Sequence, residues 1–251
     1  MMNKVEGIVL RTVDYGESHI IVHLLTKEAG RMAFMARGAK KPKSQLASSA
    51  QLFIHGTYLY KGSGGKGIKT LIQAEVEQSF RSIRSDILKT AYATYMMELM
   101  EKLIDENSSN PALFRLLHEM LLRMEEGKDP EVLVRMFDLK MTDVAGIRPE
   151  LDACTSCGRT EGTFHFSVSG AGFLCDQCFH KDPYRLRISK KTVQLLRTLY
   201  YVDLRRLGSI ELKQETKQEL KWVLESYYDT YSGVFLKSKR FLEQMERLNF
   251  D

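Results

Sequence analysis

Up to about residue 80, apolar side chains recur at every second position; beyond it they recur at every third or fourth. The first pattern predicts short strands over Glu6–Leu10, His19–Thr26, Arg31–Ala36, Leu52–Lys61 and Lys69–Val76, separated by turns that contain glycine. Within His19–Thr26, Ile20, Val22 and Leu24 share one face. Met32 and Phe34 do the same within Arg31–Ala36, as half-buried strands require. Gly30 and the stretch from Gly62 to Gly67 supply hairpin turns. Five short strands in this length fit a small closed barrel of the OB type, which removes exposed sheet edges. An SH3-like barrel would give the same pattern.

From Phe80 onward, Ile83, Ile87, Ala91, Tyr95, Leu99 and Leu103 mark one helical stripe. Pro111 opens a second helix with Leu113, Leu116, Leu117, Met120, Leu121 and Met124, closed by Gly127. Asp129-Pro130 opens a third, which runs to about Ala145 and is stopped by Gly146 and Pro149. Helical patterning resumes after Ser189, an N-cap candidate, with Val193, Leu195, Leu196, Leu199 and Tyr200. Leu212–Tyr231 and Val234–Leu248 follow, divided by Gly233; Trp222, Tyr227, Tyr228 and Met245 read as packing residues. The stripes together predict one bundle. The expected class is therefore α+β and multidomain. A five-stranded OB-type β-barrel (1–80) precedes an α-helical domain (81–150 and 184–251), into which a four-cysteine segment (151–183) is inserted.

That segment holds Cys154-Thr155-Ser156-Cys157 and Cys175-Asp176-Gln177-Cys178, and these are all four cysteines of the chain. A two-residue gap lets one turn aim two sulfurs at a point, and two such turns complete a tetrahedron, the geometry Zn2+ favours with thiolates. With every position filled by protein, the expectation is one structural zinc ion rather than a catalytic one. Two disulfides are disfavoured, because the chain is large enough for its own core and opens without a secretion signal. His165 and His180 lie nearby as substitute ligands, and Phe164, Phe166 and Phe173 lie between the cysteine pairs as cover for the ion.

Charge adds a direction to this picture. The first 80 residues hold eleven Lys or Arg against six Asp or Glu, whereas the remaining 171 hold 26 of each; the whole net charge of +5 therefore lies in the barrel. Segregated basicity suggests a polyanion partner. Between the third and fourth strands, Arg37-Gly38-Ala39-Lys40-Lys41-Pro42-Lys43 carries four cations and no acid on a loop, where they can reach phosphates without disturbing a core. Lys61, Lys66 and Lys69 flank the next turn and extend the candidate surface. Tyr15, Phe34, Phe53, Tyr58 and Tyr60 are the aromatics available for stacking on bases, most of them better read as core. Gly62 to Gly67 matches G-x-G-x-x-G, but a strand follows where a nucleotide-binding helix should begin, so it reads as a hairpin loop. At 43% hydrophobic and 27% charged residues the composition is that of a soluble globular protein, and no apolar run is long enough to span a membrane. No H-E-x-x-H, G-x-S-x-G or aspartate-rich run is present, which favours a binding protein over an enzyme.

In this order the pieces resemble the RecO family of bacterial recombination mediators. The resemblance rests on Gly7-Ile8-Val9-Leu10, Asp14-Tyr15-Gly16-Glu17 and Leu24-Leu25-Thr26-Lys27-Glu28. It continues through Ala36-Arg37-Gly38-Ala39-Lys40-Lys41, Lys69-Thr70-Leu71 with Ala74-Glu75, the two cysteine pairs and Leu236-Lys237-Ser238-Lys239-Arg240. It implies an OB barrel, a helical domain and an embedded zinc finger in a cytoplasmic, nucleoid-associated, non-enzymatic DNA-repair protein. It implies binding of single- and double-stranded DNA, annealing of complementary strands and, with RecR, loading of RecA onto DNA coated by single-strand-binding protein. It also implies a site on the helical domain for the acidic, Phe-terminated tail of that coat protein, for which Arg135 beside Phe137 is the candidate. An RNA- or translation-associated OB protein with a structural zinc is the alternative from another binding class.

Overall fold

The computed structural model describes residues 2–62, 67–106, 108–204 and 210–248. One long strand organises its first part. β1 (Met2–Tyr15) pairs antiparallel with β4 (His55–Lys61) over Met2–Ile8 and with β2 (His19–Thr26) over Gly7–Tyr15. The register slips between Val9 and Arg11, so Leu10 is the extra residue of a bulge where β1 passes from one neighbour to the other. β3 (Gly30–Ala36) follows β2 as a hairpin, and β5 (Lys69–Gln78) pairs antiparallel with β4. A short parallel joint, Phe34 with Lys69 and Met35 with Thr70, closes the ring in the order β1-β2-β3-β5-β4. This strand order is that of an OB barrel, one of the two small barrels that the periodicity allows.

Inward-facing positions fill it. Val5, Val9, Val22, Leu24, Phe34, Ile54, Tyr58 and Leu71 form one buried cluster, and Phe34 meets Tyr60 edge-on at 5.1 Å. β1 is much longer than expected, because Arg11, Val13 and Tyr15 continue the strand on a face that no core covers. β4 begins at His55 rather than Leu52, because Phe53 adopts φ +69, which no strand accommodates. Gly30 also has φ +69, and a Cβ there would lie 2.4 Å from the Ser108 carbonyl oxygen, so the β2–β3 turn admits only glycine.

Seven helices are described: α1 (Arg81–Ser85), α2 (Ile87–Leu103), α3 (Pro111–Glu125), α4 (Pro130–Val144), α5 (Lys190–Tyr201), α6 (Gln214–Tyr231) and α7 (Lys237–Leu248). The single stripe after Phe80 is broken at Asp86, whose carboxylate accepts from the backbone N–H groups of Leu88 and Lys89 and so starts a new helix. Asn110, Asp129 and Ser189 cap α3, α4 and α5 in the same way.

The chain divides into two compact units, one made of residues 1–126 with 236–251 and the other of Gly127–Phe235. The helices, read from their stripes as one bundle, are shared between the units. In the first unit α7 packs along α2. The Glu98 carboxylate of α2 accepts from the backbone N–H groups of Lys237 (3.1 Å) and Ser238 (2.8 Å), which gives the Leu236–Arg240 motif its structural role as a capped helix start. In the second unit α4 packs on α5 and α6, with Tyr228 donating to the Asp138 carbonyl (2.7 Å) and Tyr227 to that of Ile147 (2.8 Å). Trp222, expected to pack, is 48% exposed.

On the first unit, the His118 ring of α3 lies 4.4 Å from that of His55 of β4, tilted by 54°, and hydrogen-bonds Gln78 Oε1 at 2.8 Å. Burial, with His55 beside it, pushes the His118 pKa down to about 4 from 6.5. A lowered folded value means that the unfolded chain takes up a proton first. The contribution of neutral His118 is thus complete above about pH 6.5 and is lost as pH falls towards 4. Melting temperature should therefore fall over that window, and His118→Gln should show a shallower fall. Equal slopes in the two proteins would remove His118 as a cause.

Candidate functional site

The open face of the barrel is built by alternation. Because Val22, Leu24 and Phe34 point inward, Ile21, His23, Ala33 and Met35 point outward, and the bulge at Leu10 turns Arg11, Val13 and Tyr15 of β1 onto the same outer face, where the register sets them in rows. Arg11 lies opposite His23 and then Ala33, Val13 opposite Ile21 and then Met35, and Tyr15 opposite His19. Tyr15 is 54% exposed and Val13 41%, so an apolar strip with one aromatic ring lies open on the outside of β1, β2 and β3. Of the five aromatics considered for stacking, Tyr15 alone is exposed; Phe34, Phe53, Tyr58 and Tyr60 are at most 8% exposed and belong to the interior.

The basic loop adjoins the Tyr15 end of this strip. It is a shaped turn rather than a loose linker. Gly38 N–H donates to His19 Nδ1 (2.9 Å), Lys40 N–H to the Ser18 carbonyl (3.1 Å) and Lys41 N–H to the Gly38 carbonyl (3.0 Å). Ala39 is buried at 3% and anchors the turn in the core, while Arg37, Lys40, Lys41 and Lys43 stay exposed. Lys40 meets Asp14 at 2.7 Å, an exposed pair of small energetic weight. The other candidates lie apart from it. Lys61 is exposed at the end of β4, Lys69 sits half-buried across from Phe34, and Lys66 lies outside the described residues.

The opposite end of the strip is electrically closed. Glu101 of α2 takes Arg11 at 2.7 Å and Arg31 at 3.6 Å beside a cavity of about 230 Å3 lined by His23, Ala33, Ile68 and Lys69. Burial, with the Arg11 guanidinium close by, holds the His23 pKa below its usual value, so this imidazole is neutral near pH 7. At the Tyr15 end the four cations of the turn outnumber the two nearby acids, Asp14 and Glu17, so a net positive charge gathers there. The sequence reading missed Val13, Ile21 and Met35; the signal was the alternation Arg11-Val13-Tyr15 continuing beyond Leu10.

In the second unit the four cysteines converge. Their sulfurs all lie within 4.8 Å of one another, and Cys157 Sγ is 3.6 Å from Cys175 Sγ. Four thiolates about 2.3 Å from a central ion are separated by about 3.8 Å, whereas a disulfide needs about 2 Å, and all four thiols are free. The cluster could therefore hold a metal ion tetrahedrally. Cys154 and Cys157 flank a turn in which Gly158 N–H donates to the Cys154 carbonyl (2.9 Å). Cys175 ends the hairpin of β6 (Phe164–Ser167) and β7 (Gly172–Cys175), and Cys178 sits in the 3-10 turn Asp176–Lys181.

Burial pushes the Cys154 thiol up, but the N–H groups of Cys175, Ser156 and Cys157 turned towards its sulfur outweigh this and bring it down to about 6. Burial and the adjacent sulfurs push Cys175 up to about 12, since crowded thiols cannot all ionise without a cation between them. Phe164, Phe166 and Phe173 are at most 5% exposed and pack ring to ring beside the cluster. His165 is turned away, stacked on Phe179 at 4.1 Å, and belongs to no ligand set among the described residues.

Arg135 and Phe137, the candidate tail contact, are 3% and 0% exposed on α4, with Arg135 NH1 on Asp138 Oδ2 at 3.0 Å. Among the described residues no helix is long and apolar enough to cross a membrane.

Comparison with known proteins adds identity to geometry. Residues 1–80 match the family model described as recombination protein O N terminal, and residues 84–240 the one described as recombination protein O C terminal. A DNA repair protein RecO from Bacillus subtilis is 51% identical over 248 residues, covering 99% of this chain and 96% of its own. One from Halalkalibacterium halodurans is 50% identical over 250 residues (100% and 98%), and one from Listeria monocytogenes 45% over 246 residues (98% and 96%).

If the thiolate cluster binds a metal ion, its coordination energy, of order 10 kcal/mol, is folding energy for the second unit. Cys175→Ser should then lose the ion and lower the melting temperature, read by elemental analysis and calorimetry. A strong chelator that leaves melting unaltered would remove the cluster as a metal site.

Proposed function

The chain belongs to the RecO family of DNA repair proteins, and on that premise we propose that it is a non-enzymatic recombination mediator working through its barrel. It binds single- and double-stranded DNA, anneals complementary strands and, together with RecR, helps load RecA onto DNA coated by single-strand-binding protein. The observation that carries the reading is the exposed cationic turn Arg37–Lys43, tied by hydrogen bonds beside an open apolar strip that ends in Tyr15. Phosphates are held by Arg37, Lys40, Lys41 and Lys43, and a base stacks on Tyr15. Lys61 and Lys69 extend the contact along β4 and β5. Neutralising phosphate charge lets two strands approach without nucleotide hydrolysis, so annealing needs no catalytic group.

The ion in the thiolate cluster is zinc, one per chain, in a structural role, since four sulfurs leave no position for water or substrate. The functional modules are the barrel at 1–80, the helical part at 81–150 with 184–251 and the zinc segment at 151–183. Location is cytoplasmic, with the nucleoid. The acidic tail of the coat protein docks on the helical part; contact with Arg135 and Phe137 requires α4 to be uncovered.

Replacing Arg37, Lys40, Lys41 and Lys43 together by alanine should weaken binding to a single-stranded oligonucleotide. It should also flatten the slope of log affinity against log salt by about 3. Tyr15→Ala should cost about 1–3 kcal/mol with the slope unchanged. Titrations at several salt concentrations test both, and unchanged affinity and slope in the quadruple variant would remove the turn from the site. RNA of equal sequence outcompeting the DNA would favour an RNA-binding role instead.

A further inference from the structure

The chain that leaves the second cysteine pair carries cations of its own. Between Phe179 and Arg187 lie Lys181, Arg185 and Arg187 with a single acid, Asp182. That acid is turned inward. Asp182 is 8% exposed, and its carboxylate accepts from Ser167 Oγ (2.5 Å), Ser169 Oγ (3.1 Å) and the backbone N–H of Tyr184 (2.9 Å). Burial opposes its ionisation, but these hydrogen bonds, the Ser167 hydroxyl foremost, outweigh burial and keep the carboxyl below the usual range. Its negative charge therefore holds the turn together instead of neutralising the outer side.

The frame is rigid. Arg185 NH1 donates to the carbonyls of Phe179 (3.0 Å) and Asp182 (3.1 Å), and its Nε to His165 Nδ1 (3.2 Å). Its guanidinium lies 4.3 Å from the centre of the Phe179 ring, on which His165 is stacked. Leu186 exchanges two backbone hydrogen bonds with Phe166, of 3.1 and 2.7 Å, an isolated bridge that ties down the segment carrying Arg187. Lys181 and Arg187 are exposed and form no ion pair among the described residues. Between them Tyr184 is 91% exposed, more than any other large apolar or aromatic side chain among the described residues. A lone exposed tyrosine is ordinary. A fully offered ring on a hydrogen-bonded turn, flanked by unpaired cations with its only acid internalised, is the layout of a stacking platform.

We propose that the turn Lys181–Arg187 is a second contact for single-stranded nucleic acid, with Tyr184 stacking on a base and Lys181 and Arg187 holding adjacent phosphates. The proposal rests on the reading of the chain as a DNA-binding mediator, and it adds what annealing requires, a hold on a second strand separate from the barrel.

The test uses the full chain. In a Trp222→Phe background, which removes the only tryptophan, Tyr184→Trp places a fluorescent reporter on the turn. An oligothymidylate should quench it to saturation, and should still do so when Arg37, Lys40, Lys41 and Lys43 are alanine. Heparin, which has charge but no bases, should displace the oligonucleotide without quenching. Separately, Lys181→Ala/Tyr184→Ala/Arg187→Ala should slow annealing of complementary strands about tenfold while the metal content stays that of the parent. A silent reporter in a protein that binds oligonucleotide, quenching by polyglutamate equal to that by DNA, or undiminished annealing would each overturn the second contact alone. A parent protein that binds no DNA would bring down the mediator reading beneath it.

Discussion

The double pairing of β1 is the constraint on which the barrel depends. A strand hydrogen-bonded to β4 along its first half and to β2 along its second must curve through the change of partner, and the bulge at Leu10 supplies the curvature. Closure is completed by the two-residue joint of β3 with β5, which shortens the open sheet edges. Recognition is left to side chains on a face and to the loops around it. The same strand meets that need, because the extra residue at Leu10 reverses the alternation: Arg11, Val13 and Tyr15, which share Val9's parity, face outward instead of into the core.

The second unit solves a different problem. Residues 150–188 contain little regular structure beyond the β6–β7 hairpin and a 3-10 turn, so hydrogen bonding alone holds them weakly. A metal ion held by the four converging sulfurs would supply what a larger core supplies elsewhere. Backbone stitching joins the hairpin to what precedes it: Glu150 N–H donates to the Ala171 carbonyl and Phe173 N–H to the Glu150 carbonyl. A Cβ on Gly172 would lie 2.3 Å from that Glu150 oxygen, so the approach depends on a missing side chain.

Much of this was legible in the residues. Period-two spacing marked all five strands, Pro111 and Pro130 marked helix starts, and the cysteine spacing marked the cluster. What failed to show has physical causes. The far half of β1 buries nothing inside the barrel, so its only mark in the sequence is the short alternation of Val13 and Tyr15 with polar residues. The break at Asp86 was hidden by a stripe that runs straight through it, because capping by a carboxylate leaves the apolar spacing intact. Arg135 looked like a surface cation, yet it lies inside the second unit paired with Asp138, and pairing of that kind cannot be read from composition. At the candidate interface the cations were evident, whereas the apolar strip became visible only when the register aligned Val13, Ile21 and Met35 from three separate strands.

Helix α7, seated by Glu98, has a consequence for biosynthesis. The first unit is discontinuous in sequence, with all of Gly127–Phe235 placed between its two pieces. On a ribosome the barrel and α1–α3 emerge early, but the flank of α2 that α7 covers stays bare until more than a hundred further residues have been added. The interrupting unit is contiguous and can fold as soon as it appears, so the order of completion is the reverse of the order of emergence.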